Sequence, residues 1–403
     1  MSRAAVPAYL GEDFREAAPG HRFALYLSVW DQQWKKQRGG AIEELLKLND
    51  DDRKRLGALI ERQRRLLQHE ESAQPGSTLN LPATSTSPFT TGLGMAHPLE
   101  NGFAFLTPYG LPYLAGSGVK GVLRQAAREL AEGGEFEDPG RDWDWPEIEA
   151  LFGSPGEDEG GVTGRRRGAL NFWDVFPEPG RGQDLAWEVM TPHQGSYYQD
   201  ATGQTAPHDN GAPVPIYFLG IPAGSGFRFH IQCNRALLRQ TGPTLLEPAG
   251  EDGDRARWQV LLETLFAHAF EWLGFGAKTA VGYGALSIDE KTRRHEAEAR
   301  EKIRAEQARK EQLASLPPGQ RRAEELLEQR QDPSYPAHRF LLEQLEAGAV
   351  AAEEQAALAQ VALDYLAQDR EKVRKTKKAK QKLPKLDEEE VQLQRFVDEE
   401  GTG

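Results

Sequence analysis

The stretch Gly274 to Gly284, Gly-Phe-Gly-Ala-Lys-Thr-Ala-Val-Gly-Tyr-Gly, constrains this chain more than any other. It follows an amphipathic helical pattern and leads into a strand pattern, and glycines let bare backbone come close to a ligand or to other backbone. Both nucleotide-phosphate fingerprints demand the opposite order: a strand, the loop, then a helix whose N-terminus faces the anion. The spacing disagrees as well. The Walker pattern needs Gly directly before Lys-Ser/Thr, yet Ala277 precedes Lys278-Thr279, and the dinucleotide pattern finds Thr279 where its third Gly belongs. A mononucleotide is therefore a poor ligand for this loop, and a polymer backbone a better one. A purely structural account also stands, with Gly274 as a helix C-cap, Gly282 and Gly284 in a β-bulge, and Lys278 solvated.

At 403 residues the chain has room for one large domain with an appendage, or for two domains. Its single cysteine, Cys233, excludes an intramolecular disulfide and any cysteine-based zinc site, and suits a reducing compartment. The first residues lack a basic start followed by an apolar run, and no stretch of about 18 apolar residues occurs. The expectation is a cytoplasmic protein without membrane contact, metal or cofactor. A formal charge of −13 argues at first against a polyanion, but distribution matters more than the sum. Ala131 to Gly160 alone carries eleven acidic residues against Arg141, so an acidic insertion leaves the remainder far less negative.

Along the chain, Arg22 to Trp30 places Phe23, Leu25, Leu27 and Val29 at period two, which predicts a first strand. Ala41 to Gln68 is charged and leucine-rich and predicts a helical insertion, followed by a Ser/Thr/Pro loop over Ser72 to Thr91. Val119, Val122, Leu123, Ala126, Ala127 and Leu130 then follow the spacing of a buried helical face, with Ser117 as the expected N-cap. Lys120, Arg124 and Arg128, spaced by four, form a cationic stripe from the start of that helix. A solvated face is the alternative. Ala169 to Phe176, Pro215 to Ile221 and the alternating Phe227 to Cys233 read as strands, the last with His230 on its polar side. Met190 to Pro213 is polar, aromatic-containing and long for a loop, as functional excursions are. A further helix carries Trp258, Leu261, Leu262, Leu265, Ala269, Trp272 and Leu273 toward the core. Ala285 to Ile288 closes the order β, α, β, β, α, β.

Beyond about Glu290 the composition turns to Glu, Ala, Lys, Arg, Gln and Leu, with breaks at Leu316-Pro317-Pro318-Gly319 and Asp332 to Pro336. This predicts two parts: residues 1–290, an α+β domain with insertions near 41–70 (helical), 131–160 (acidic) and 190–213 (a long excursion), and a helical, charged extension over 291–403. Within the extension, Glu371 to Leu386 holds eight Lys or Arg against one Glu, which is a solvated tether or a contact for nucleic acid or a partner.

The glycine loop after a helix, together with Leu-Pro-Tyr-Leu-Ala-Gly-Ser-Gly-Val-Lys-Gly (111–121) opening one, resembles the RAMP superfamily of CRISPR effector proteins. More narrowly, His97 to Gly121, Asn-Phe-Trp-Asp-Val-Phe-Pro (171–177) and Met-Thr-Pro-His-Gln-Gly-Ser-Tyr-Tyr (190–198) resemble the family of the sixth Cmr subunit of type III-B complexes, over about Phe23 to Ile288. The resemblance implies a ferredoxin-like, RRM-related fold, a thumb-like hairpin over 190–213 and a backbone position toward the 3′ end of the CRISPR RNA. The implied partners are CRISPR RNA, target RNA, other RAMP backbone subunits and small helical subunits. Carried over, the RNA-facing residues are Gly116, Ser117, Gly118, Lys120, Gly121 and Arg124, then His193, Tyr197 and Tyr198, and Gly274, Gly276, Lys278, Thr279, Gly282, Tyr283 and Gly284. The extension 291–403 and the large acidic insertion depart from the family pattern.

Metal-independent RNA cleavage needs a general base and a general acid, and His193, Tyr197, Tyr198, Asp200, His208 and Asp209 supply both residue types within one segment. Stacking of His193 and the tyrosines on bases needs only a π face, and packing of Tyr197 against Tyr198 needs no ligand at all. His193 and Asp209 are the catalytic candidates of the alternative reading, a RAMP endoribonuclease, and His21 beside Arg22 is a further one. The resemblance favours a subunit without catalysis.

Overall fold

The computed structural model describes residues 3–36, 46–98, 101–133, 143–154, 166–180, 184–191, 194–206, 213, 215–250, 255–375 and 379–398. The chain forms two compact units, Met1–Arg293 and Arg294–Gly403.

The first unit mixes helices and strands around one four-stranded antiparallel sheet. Its strands are β1 (Thr78–Ser85), β2 (Leu170–Phe172), β5 (Gly226–Cys233) and β6 (Leu286–Ile288), in the order β6-β1-β5-β2. Two further strands, β3 (Ala186–Met190) and β4 (Ile216–Gly220), pair with each other as a separate hairpin. The sheet register sets Leu81 opposite Phe229 and Leu170 opposite Cys233. Alternation then sends Leu79, Leu81, Ala83, Phe227, Phe229 and Ile231 to one face, where all are buried. Helices α3 (Gly116–Glu132) and α5 (Arg257–His268) contribute Val119, Leu123, Trp258, Leu262 and Phe266 to the same core, as does α4 (Trp145–Phe152) through Ile148 and Leu151. The acidic insertion is thus interrupted by a helix that belongs to the core. Burial pushes the Cys233 thiol up to about 12, consistent with an inert packing group.

Several sequence expectations are corrected. Arg22 to Trp30 is not a strand: Pro19 at a first helical turn starts α1 (Pro19–Ala24), and Leu25 is left 56 % exposed. The first core strand is β1, inside the segment expected to be loop. Its Leu79-Leu81-Ala83 alternation was masked by Thr78, Asn80, Pro82 and Thr84 on the other face. Pro82 sits where the β6 pairing begins, at Ala83, and its carbonyl still accepts from the Asp289 N–H at 3.0 Å. The leucine-rich helix, α2 (Asp50–Ala73), starts late, at an Asn49–Asp52 capping box, and residues 41–45 of the predicted insertion lie outside the described residues. It lies over the second sheet face, where Gln232 donates to Glu70 and Gln63 donates to the Asp174 carbonyl. That cover is why His230 is buried, 2 % exposed, rather than on a wet face, and burial lowers it to about 4. Trp272 is 62 % exposed because a π-turn over Ala269–Leu273 adds a residue and rotates the helical face past it. Pro215 to Ile221 belongs to the hairpin rather than to the central sheet.

The second unit is helical: most of α6 (Glu290–Ser315), then α7 (Pro318–Leu327), α8 (Ala337–Glu346), α9 (Ala352–Arg374) and α10 (Ala379–Asp398). Leu326, Leu341, Leu345, Leu358, Leu366 and Leu393 form its own buried core. Buried His338 sits between Asp369 (3.0 Å) and Glu389 (3.1 Å), and Arg339 also holds Glu389 (2.6 Å).

Candidate nucleic-acid interface

The glycine loop is built inward first. Phe275 is fully buried, its ring centroid 5.2 Å from that of Phe229, so the backbone on either side lies against the sheet edge. Gly276 (φ +93°) and Gly284 (φ +74°) have no room for a side chain, since a Cβ would run into the Thr90 and Phe275 carbonyl oxygens respectively. The loop amides are largely used internally. Phe275 N–H donates to the Gly284 carbonyl, Ala277 to Thr90, Gly284 to Pro88, and Val281 and Tyr283 to Lys278. These glycines serve close backbone packing, and side chains are left to meet a ligand. Gly274 is the helix C-cap, and Gly282 (φ +92°) closes a one-turn 3₁₀ segment over Thr279–Val281 rather than a β-bulge.

Lys278 holds a left-handed conformation (φ 60°), which turns it away from the sheet. Its ammonium lies 5.1 Å above the Phe218 ring and 2.8 Å from the Met190 sulfur. Tyr283 donates its hydroxyl to Glu188 at 3.1 Å, and burial followed by that carboxylate raises the phenol above its usual value. Glu188, Met190 and Phe218 all belong to β3 and β4, so the loop is docked on the hairpin. Nothing in the sequence signalled those three partners.

The helix start has a different arrangement. Ala115, not Ser117, is its N-cap residue. Gly116 packs against the Phe172 carbonyl, and its N–H donates to Asp174 at 2.8 Å, so the protein's own carboxylate takes the place that an external anion would fill at this N-terminus. Ser117, Gly118 and Gly121 are exposed, and a Cβ on Gly121 would meet nothing. Lys120 and Arg124 are half-buried, and burial together with neighbouring cations lowers both below their usual values. The glycine loop leads into edge strand β6, and the helix start packs on edge strand β2. The two segments are therefore separated by three strand spacings, roughly 14 Å.

At the hairpin end, a short helix (Gly195–Gln199) carries Tyr197 and Tyr198, 42 % and 79 % exposed, with ring centroids 5.4 Å apart and edge to face. The predicted excursion is longer than 190–213, since its paired arms begin at Ala186 and end at Gly220. His193, His208 and Asp209 lie outside the described residues. Asp200 is a poor base: Thr202 and Thr205 donate to both its oxygens and hold it far below the usual carboxylate range. His21 is half-buried in α1 beside Gly110. Among the described residues no cluster of three metal-ligating side chains occurs.

Residues 83–287 match the sequence model of the RAMP superfamily. The chain belongs to the RAMP superfamily. The matched interval opens in β1 and closes in β6, so the RAMP region contains β2, β5, α3, α5, the hairpin and the glycine loop, whereas the first half of β1, α2 and the helical extension fall outside it. A relative is the CRISPR system Cmr subunit Cmr6 of Pyrococcus furiosus, 28 % identical over 242 residues, or 50 % of this chain. This chain spans 65 % of that relative's length. Among solved structures, the type III-B Cmr-beta complex bound to cognate target RNA aligns at a TM-score of 0.36, with 20 % identity over 61 % of this chain and 67 % of its own. The crystal structure of Cmr6 from Pyrococcus furiosus aligns at 0.27, with 26 % identity over 52 % and 97 %. The sequence match, not superposition, carries the family assignment. No helix among the described residues is long and apolar enough to cross a membrane.

Proposed function

We propose that this chain is a non-catalytic, RNA-binding backbone subunit of a type III-B CRISPR ribonucleoprotein, a Cmr complex, holding CRISPR RNA toward its 3′ end. In this reading it contributes to antiviral RNA interference in the cytoplasm. Target RNA, other RAMP backbone subunits and small helical subunits are its partners. The kinship with Cmr6 supports the assignment. A ferredoxin-like, RRM-related fold is supported by the sheet order β6-β1-β5-β2 and by the helices that follow its first and third strands. The helical extension is a separate module in this reading.

The observation that carries it is the docking of the glycine loop on the hairpin. One assembly then presents Lys278, a left-handed cation held on Phe218 and Met190, and the exposed pair Tyr197 and Tyr198. A cation for the backbone beside aromatic faces for bases is the chemistry of single-strand binding, and it needs no proton-transfer group. The test is binding of a labelled repeat-flanked spacer RNA by the full chain across a salt series. Lys278→Ala is expected to lower the magnitude of the salt slope by about 0.7. Tyr198→Ala is expected to weaken binding by about 1–3 kcal/mol with the slope kept. Two variants that bind as the wild type does at matched salt would overturn the reading. Labelled RNA left with the chain without metal is expected to stay intact; a cut abolished by His193→Ala or Asp209→Ala would establish the nuclease instead.

A further inference from the structure

Among the described residues, six arginines have an Nε shielded from solvent with no hydrogen-bond partner: Arg22, Arg124, Arg128, Arg235, Arg322 and Arg330. In four of them the outer nitrogens still find oxygen. Arg22 donates to the Lys47 carbonyl, Arg235 to Pro75, Arg322 to Glu325 and Arg330 to Tyr335. Arg124 and Arg128 make no hydrogen bond or ion pair at all among the described residues, although each is half-buried on α3. Lys120, one turn earlier, is in the same condition. Arg167 reaches only a neutral acceptor, donating to the Asn171 side-chain oxygen at 2.7 Å.

These four cations stand in a row. Arg167 repels Lys120, Lys120 repels Arg124, and Arg124 repels Arg128, while the carboxylate that acts on Arg124, Glu149 on α4, forms no ion pair with it among the described residues. Positions four apart on a helix rise about 6 Å and turn about 40° per step, so the α3 cations climb about 12 Å in a shallow spiral. That step is comparable with the interval between successive phosphates of a single strand. Like charges so aligned, the three on α3 half-desolvated and Arg167 exposed beside them, and without counter-charges among the described residues, call for a partner that brings several negative charges at a regular spacing.

We infer that Arg167, Lys120, Arg124 and Arg128 form a single-file track for consecutive phosphates of a single-stranded RNA, so that the interface runs along α3 rather than ending at its first turn. The inference rests on the RNA-binding reading above and extends it to Arg128 and Arg167, which the family resemblance did not supply. Arg167 sits in the run Arg165-Arg166-Arg167, a sequence signal that passes unnoticed beside the acidic segment before it.

The experiment is anisotropy of a labelled oligouridine with the full chain over a range of salt. Arg128→Gln with Arg167→Gln is expected to lower the magnitude of the slope of log K against log salt by about 1.4, the value for two phosphates of a single strand. Arg128→Lys with Arg167→Lys, which keeps the charge, is expected to retain the wild-type slope and so separates lost charge from lost folding. If Lys278→Ala weakens binding but Arg128→Gln/Arg167→Gln leaves the slope unchanged, the track is wrong and the RNA reading stands. If the wild-type chain does not bind oligouridine at low salt, both fall. If it binds an oligoglutamate through Arg128 and Arg167 and RNA not at all, the row faces an acidic protein and the track is overturned.

Discussion

Two stretches of this chain look alike as sequence and behave differently once folded. Lys120, Arg124 and Arg128 on α3 and the lysine-rich run from Glu371 to Leu386 are both cationic, and the described residues of the second lie mostly in α9 and α10. In the second unit two cations of that run meet acids of α9, and an arginine just before it meets acids of α10. Lys372 pairs with Asp369 at 3.1 Å, Lys375 with Glu371 at 3.0 Å, and Arg370, just upstream, bridges Asp387 and Glu390 of α10. On α3 the positions four residues from Arg124 are occupied by further cations, and no carboxylate comes within pairing distance of the stripe among the described residues. Positive charge that is answered locally holds a bundle together, and positive charge left unanswered is available to a ligand. Cation density alone does not separate these cases.

The sharpest way to break this comparison is to neutralise both stretches and read RNA binding. Lys120→Gln with Arg124→Gln is expected to weaken binding of single-stranded RNA by about tenfold or more, on the scale of charge-assisted hydrogen bonds. Its salt slope is expected to fall in magnitude by about 1.4. Lys372→Gln with Lys375→Gln is expected to leave both quantities unchanged within about twofold, since exposed pairs of this kind contribute little even to stability. Equal losses from the two stretches would erase the distinction.

Stability is expected to move in opposite directions. Arg124→Met keeps the aliphatic stem and removes a donor whose unmet burial costs about 1–3 kcal/mol, so the unliganded chain should melt a few degrees higher while binding RNA less well. Arg370→Met removes a guanidinium that two carboxylates favour, and the second unit should melt lower with RNA binding intact. Calorimetry that resolves the two units reads both shifts. A fall on Arg124→Met would mean the stripe is structural.

The parts of the interface legible in the sequence were those set by local rules. The 3.6-residue period of Val119 to Leu130 fixed α3 and put its cations on the opposite face, and a glycine run between a helix and a strand fixed the loop. What escaped notice depends on distant partners. β1 hid because its second face carries Thr78, Asn80, Pro82 and Thr84, and Arg22 to Trp30 imitated a strand because alternation was weighed without Pro19. The π-turn that exposes Trp272 has no local signature, and neither does the pairing that carries β4 away from the sheet into a hairpin. The glycines were found for the right spacing and an incomplete reason: Gly276 and Gly284 are required by the Thr90 and Phe275 carbonyls, and Lys278, the loop's one charged residue, rests on Phe218 and Met190 of the hairpin. Whether a cation is answered is a tertiary fact, and no inspection of spacing supplies it.

The smallest expected effect sharpens the comparison through pH. Burial first, then Arg124 and Arg167, hold the Lys120 ammonium below its usual value. A base whose folded value is lowered is penalised wherever it is charged in both states, so at neutral pH the full penalty is present and Lys120→Gln is the more stable protein. As pH rises through the lowered folded value toward the unfolded one, the folded chain releases this proton first, and stability rises with pH over that window. The gap between wild type and Lys120→Gln should therefore close in alkaline solution, by a small amount because the side chain is partly solvated. A bound phosphate would reverse the sign by favouring the ammonium: with RNA present, the wild type should take up a proton on binding within the same window, and Lys120→Gln should not. Titration calorimetry in two buffers of different ionisation enthalpy reads that uptake directly. Equal proton uptake by the two proteins would mean that no phosphate lies against Lys120.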